Sequence, residues 1–301
     1  MYSKENRKKV FPKRRRECLS AAKNTITPLM LIIPSLLFVL VFSFCPFIKT
    51  IVATVTVESG NGLKWVGLQI WEMIFRGEHF KRVLANTFLF ALLNLVFTFV
   101  GALFLALLTD ERKKGQRLIE TLFSLPMAIA SAPAAAVWAF ILRQDGGILN
   151  SFFGLDIGWL VDPDYALLSV AIVTSWTHVA SSYILLLAGF RNVPKEMIES
   201  ATLDGANPFR IATSVKIPIA SPQIFYVLFL NIITAFRTFT QIKLLTGGGP
   251  AGATTTLMFD IYEQNNTLFG LACCDSLILF VIMFTMSCFS FIIEKKYVQY
   301  D

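Results

Sequence analysis

Residues 83–109 read VLANTFLFALLNLVFTFVGALFLALLT, 27 positions without a charge. A helix of that length rises about 40 Å at 1.5 Å per residue, enough to cross a hydrocarbon core of roughly 30 Å. Backbone amides have no water to bond there, so a helix that satisfies its own N–H and C=O groups is the form the segment must take. Five further uncharged stretches, 29–48, 121–142, 165–190, 217–236 and 276–293, bring the spans to six. Composition agrees: 55% of the 301 residues are hydrophobic, only 16% are charged against roughly 25% in soluble domains, and mean hydropathy is +0.62. The expected fold is an all-α, polytopic membrane helical bundle with six transmembrane helices.

Six spans place both termini on one side, and the basic residues choose which. Segments 1–28, 110–120, 191–216 and 294–301 carry 19 of the 27 Lys and Arg in 73 residues, and the opposite loops carry 8 in 95. The positive-inside rule therefore puts both termini in the cytoplasm. The run Lys13, Arg14, Arg15, Arg16 reads as an orientation signal against anionic lipid rather than a nucleic-acid patch. The chain divides into a basic tail (1–28), a six-span domain (29–294) with a cytoplasmic loop at 191–218, and a short tail (295–301). The first apolar segment is longer than a signal-peptide core of roughly 7–15 residues, so it reads as a retained span. Cys18, Cys45, Cys273, Cys274 and Cys288 have no disulfide or metal spacing.

Outside the membrane, Trp65, Leu68, Trp71, Ile74 and Phe75 recur at helical spacing among charges, which predicts an interfacial amphipathic helix or an aromatic belt. Residues 143–164 read as turns. The segment Gly247-Gly248-Gly249-Pro250-Ala251-Gly252-Ala253-Thr254 matches G-x-G-x-x-G, but Ala253 stands where a phosphate loop needs lysine and no βαβ unit surrounds it. A tight outer turn is the better reading.

The loop after the fourth span spells two short helices. Pro194 suits a first turn, Gly205 a stop, Asn207 a cap with Pro208 behind it, and Pro218 an end. Glu199 and Asp204 lie against Lys195 and Arg210, so the pair projects as a bent polar knob fit for a cleft on a soluble partner, or serves as an ordinary amphipathic loop.

The pattern Glu199-x-Ala201, Gly205, nine residues, Val215-x-Ile217-Pro218 resembles the coupling-loop signature of the membrane subunits of ATP-binding-cassette importers. Ser200, Val215 and Ile217 depart mildly from it. Pro126, Trp138, Gly147 to Asn150, Trp65 to Leu68, Asn86-Thr87, and Leu245 to Pro250 with Thr254 to Thr256 are similar to the maltose and glycerol-phosphate subfamily, so the likeness runs from about residue 28 onward. The resemblance implies a binding-protein-dependent permease of a bacterial cell membrane that carries a sugar or oligosaccharide by alternating access, with glycerol 3-phosphate as the alternative cargo. It implies a second permease subunit, an extracytoplasmic solute-binding protein and two ATPase subunits. ATP and Mg would be used by those ATPases, leaving this chain without cofactor or enzyme activity. Glu199, Ala201, Asp204, Gly205 and Pro218 would carry the coupling.

Polar residues inside spans are costly and face a cavity or the bundle interior. The fourth and fifth spans hold Thr174, Trp176, Thr177, His178, Ser181, Asn231, Thr234 and Thr238, a mixture of hydroxyls, amide and aromatic ring suited to a sugar. The resemblance to the maltose permease places ligand contacts on most of these and on Ala235. Each Ser or Thr could equally bond its own backbone. His178 has no second ligand at helical spacing and reads as lining or structure, not metal. Arg237, at the outer end of the fifth span, reads as an interfacial snorkeller or as a partner for an anion. No span contains Asp or Glu, which leaves a stand-alone ion-coupled carrier or channel without its carboxylate.

Overall fold

The computed structural model describes residues 31–59, 62–110, 115–265 and 267–297. The basic tail 1–28, Cys18 and residues 298–301 of the short tail lie outside them. Two compact units are present, and the first, up to Ala53, consists of helix α1 (Leu31–Ala53). A π-helical turn at Leu40–Phe44 stands two residues before Pro46. Proline has no N–H for the ladder, and the wider turn accommodates the missing donor.

The second unit starts with a short hairpin, β1 (Thr56–Ser59) paired antiparallel to β2 (Gly62–Trp65), followed by α2 (Gln69–Arg76). The fold is helical as expected apart from this hairpin, which takes Trp65 and Leu68 out of the amphipathic helix. Alternating Thr and Val at 54–57 before Gly60-Asn61-Gly62 favour strand and turn. The remaining α2 residues do split by face: Ile70 and Ile74 are buried, while Met73 and Phe75 are exposed.

Helix α3 (Glu78–Thr109) is the predicted second span, extended by five residues at its start. The third span is not continuous: α4 (Gln116–Ala128) and α5 (Ser131–Ile141) meet at 100°. Pro126 in the last turn of one and Pro133 in the first turn of the other bracket the break: Pro126 removes a donor from the helix ladder, whereas the N–H that Pro133 lacks would have had no partner in its helix. The outer loop forms α6 (Ile148–Phe153), a helix not expected there. Asn150 pins it, donating to the carbonyls of Gln144 and Ile157 and accepting from Trp159 Nε1 at 2.7 Å.

Helix α7 (Pro163–Arg191) is the centre of this unit. Asp162 caps it, with Pro163 at the first position. Buried residues face almost every direction around it, so its many polar groups avoid lipid. Against it lies a stripe of small or short residues on α3, Ala91, Asn94, Thr98, Ala102 and Ala106. Small side chains let membrane helices approach closely, and a Cβ added at Gly101 would already touch Val179 at 3.4 Å.

After α7 come α8 (Lys195–Leu203), α9 (Pro208–Ile219) and α10 (Ser221–Phe236). Pro218 was expected to end the second short helix, but α9 runs past it and bends by 76° into α10 at Ala220. A second π turn, Ala212–Lys216, again stands two residues before the proline and absorbs its missing N–H. The bend falls instead just before Pro222. Three elements follow: α11 (Thr240–Leu245), α12 (Leu257–Gln264) and α13 (Phe269–Tyr297). The glycine-rich loop is the expected turn, held by Asn86 donating to the carbonyls of Gly252 and Thr255 and by Thr255 Oγ1 donating to Gly248. Among the described residues, four helices are long and apolar enough to cross a membrane, or six if each bent pair counts as one span.

Ion pairs tie the helix ends beside the 191–218 loop. Arg191 bonds Glu120 at 2.5 Å and the Thr109 carbonyl at 3.2 Å, while Lys216 pairs with Asp110. The side chains of Lys216 and Asp110 are only 12% and 7% exposed. Breaking one side of such a pair strands a charge and costs roughly 3 kcal/mol. Lys216→Met should therefore lower the thermal midpoint of the purified protein, and adding Asp110→Asn should restore most of it; a Lys216→Met protein as stable as the parent would contradict that weight.

Candidate functional site

Three polar assemblies stand out, one at the loop end of α7, one at its middle and one where α3, α12 and α13 meet. At the loop end, α8 closes in a Schellman arrangement: Gly205 N–H donates to the Thr202 carbonyl and Ala206 N–H to the Ala201 carbonyl, each at 3.0 Å. That geometry needs a left-handed residue, and Gly205 has φ +80°. Asn207 then accepts from Arg210 N–H at 2.8 Å and starts α9, as expected. Pro194 sits at the cap of α8 rather than inside its first turn. The expected pairing of Glu199 and Asp204 with Lys195 and Arg210 is not made: none of the four has an ion-pair partner among the described residues. Glu199, Asp204 and Gly205 are exposed, while Ala201 and Pro218 are half-buried. Beside the bend, Leu203 and Phe209 are 89% and 76% exposed, large apolar groups that the sequence reading did not single out.

At mid-depth, the predicted path residues separate. Thr174 is fully buried and donates to the Val170 carbonyl, so it faces packing rather than space. Ser181 donates to the His178 carbonyl, and Trp176 packs edge-on against Trp138, ring centroids 5.6 Å apart. Asn231 is buried and accepts from Ser182 Oγ at 2.9 Å, linking α7 to α10, and its amide nitrogen has no partner among the described residues. Ala235 is buried in a hydrophobic cluster. Three of the set, His178, Thr234 and Thr238, do converge on an open recess of about 260 Å³, together with Arg237. Thr177 reaches its edge by accepting from Gln241 at 3.4 Å. The sequence missed Ser131, Thr240 and Gln241, which complete the lining. Ser131 arrives there because the third span breaks just before it, a consequence of Pro126 and Pro133.

In the third assembly, Asp260 of α12 accepts from His79 at 3.0 Å and from Gln264 at 2.6 Å. Asp275 lies beside it along a cavity of about 150 Å³, 2% exposed, with one carboxylate oxygen unpartnered among the described residues. This corrects the expectation that no span holds a carboxylate. The sixth span was started at residue 276, after the charge, whereas α13 begins at Phe269 and contains Asp275. Among the described residues no group of three His, Cys, Asp or Glu is poised for a metal ion.

A model of the family described as binding-protein-dependent transport system inner membrane component matches residues 99–299. Two relatives named sn-glycerol-3-phosphate transport system permease protein UgpA are each 30% identical. The one from Agrobacterium fabrum aligns over 92% of this chain and 97% of its own length, and that from Yersinia enterocolitica over 91% and 96%. A chain of a bacterial alginate ABC transporter, crystallised with an alginate pentasaccharide-bound periplasmic protein, shares the fold with a TM-score of 0.82 at 22% identity, covering 92% of this chain and 96% of that one.

The α7–α10 contact can be weighed separately. Interhelical hydrogen bonds of this kind are worth about 0.6 kcal/mol in membranes. A double-mutant cycle of Ser182→Ala and Asn231→Ala, read by unfolding of the purified protein, should give a coupling of that order; strictly additive losses would mean that the 2.9 Å contact contributes nothing.

Proposed function

This chain belongs to the family of binding-protein-dependent transport system inner membrane components, and from that premise we propose how this particular permease is coupled and what it carries. The chain is a permease subunit of an ABC importer, a multi-pass inner membrane component. In our reading it sits in a bacterial membrane with both termini cytoplasmic, as the basic loops favour. It pairs with a second, different permease chain and with two cytoplasmic ATPases that use ATP and Mg, and it receives cargo from an extracytoplasmic binding protein.

The carrying observation is the bent pair α8–α9. Its helices are locked by their own backbone hydrogen bonds, Lys195, Glu199, Asp204 and Arg210 have no ion-pair partner among the described residues, and Leu203 and Phe209 are exposed beside the bend. A rigid polar segment with two bare apolar side chains is suited to a groove on another protein. Arg191 and Lys216 join both flanks of that segment to the ends of α3 and α4, so a push on it reaches the membrane helices. In this scheme Glu199, Ala201, Asp204, Gly205 and Pro218 form the handle. ATP-driven closure of the ATPases biases the bundle between inward and outward access. The path for cargo runs past His178, Thr234 and Thr238, with Thr177 at its margin.

The cargo in this proposal is a sugar or oligosaccharide. Glycerol 3-phosphate is the second reading, favoured by the names of the two relatives at 30% identity. A carrier working alone could use Asp275, but it would leave the exposed handle without a task.

Proline cannot adopt the +80° φ of Gly205. Gly205→Pro should therefore abolish ATP-driven uptake by the reconstituted importer while the chain still inserts and the ATPases still hydrolyse ATP. Uptake at the parental rate by that variant would overturn the handle.

A further inference from the structure

Arg237 is exposed and caps the 16-residue α10; the chain turns there and re-enters helix at Thr240. Arg237 lines the same recess as His178, and His178 is 15 residues from Pro163 and 13 from Arg191, about 20 Å along α7 from either end. The recess therefore opens beside the middle of α7, away from its ends, a place that favours the anion-partner reading of Arg237 over the interfacial one.

No ion pair or hydrogen bond engages the guanidinium among the described residues, and no carboxylate lines the recess. Apart from Phe239 the rest of the lining is polar, with the hydroxyl of Thr240, the amide of Gln241 and the ring of His178 on the same recess. Ser131 opens α5, whose first turn has no side-chain cap, and a helix start carries positive potential. An exposed guanidinium with no carboxylate facing it in a polar recess is free to pair with an anion that enters.

We propose that this recess is an anion subsite, in which Arg237 recognises a phosphate or carboxylate group on the transported solute. The inference deepens the importer reading and rests on it. Arg237 is the specificity-determining residue, pairing two N–H groups with two oxygens of the anion, while Ser131 and Gln241 are placed for the neighbouring hydroxyls of a polyol or sugar. An uncharged sugar would leave the guanidinium unpaired and should be held poorly.

The test uses the complete importer in nanodiscs, with both permease chains and the ATPases. The probes are sn-glycerol 3-phosphate and a triuronic acid, set against glycerol and maltotriose, each titrated while the thermal midpoint is followed. At least one anionic probe should stabilise the parent, and neither neutral probe should. Phosphate and carboxylate arms are read separately, so the outcome names the source of the charge. Arg237→Gln should weaken that anion by about tenfold or more, the scale of one charge-assisted hydrogen bond, and Arg237→Lys should lose less. Equal binding of the neutral probes, no binding of either anion, or an unchanged affinity in Arg237→Gln would overturn the subsite. Failure of the importer reading is visible elsewhere: the parent complex would then show no ATP-dependent uptake in vesicles.

Discussion

Hydrocarbon offers a polar group no partner, and everything distinctive about this protein follows from where its polar groups go. Helix α7 carries Thr174, Ser175, Thr177, His178, Ser181, Ser182 and Tyr183 within ten residues. A helix so polar is stable in a membrane only when other helices surround it. The small residues of α3 allow that approach on one side, and Asn94, Asn231 and Thr109 meet it with hydrogen bonds to Ser175, Ser182 and Tyr183. Beside the middle of α7, His178, Thr234, Arg237 and Thr238 face an open recess instead. The same constraint that builds the bundle thus gathers polar groups at a recess in it.

Proline shapes the passage in two ways. Where a π turn precedes it, at Pro46 and Pro218, the helix continues. Where prolines bracket a junction, as Pro126 and Pro133 do, the chain turns by 100° and brings Ser131 inward. The 76° bend at Ala220 similarly shortens α10, so that Arg237 and Thr238 fall at the recess. The loop end is built differently, with charges in pairs across α3, α4, α7 and α9 and the bent α8–α9 segment standing clear of them. A stiff exposed segment joined to the spans by buried ion pairs can transmit a push.

Much of this was legible in the sequence, and the reasons are local. Uncharged length gives the spans directly, and the bend at Gly205 is written in three neighbouring residues, Gly205, Asn207 and Pro208. The recess was only half legible. His178, Thr234 and Thr238 announce themselves as polar residues in apolar runs, but Ser131, Thr240 and Gln241 come from helices whose meeting depends on breaks that uncharged length cannot reveal. Thr174 misled because a hydroxyl bonding its own backbone looks the same in sequence as one facing a cavity. Asp275 was lost to a boundary drawn at the charge itself, since burial against Asp260 and Gln264 is invisible from composition.

The idea that a separate motor grips the α8–α9 segment can be tested where the two would touch. In an importer freed of native cysteines, Leu203→Cys should cross-link to an ATPase subunit with a short bifunctional maleimide, and a bulky maleimide adduct there should stop MgATP-driven uptake. A cysteine at Leu203 that never joins the ATPase, and that accepts the bulky adduct with uptake intact, would contradict the account at its centre.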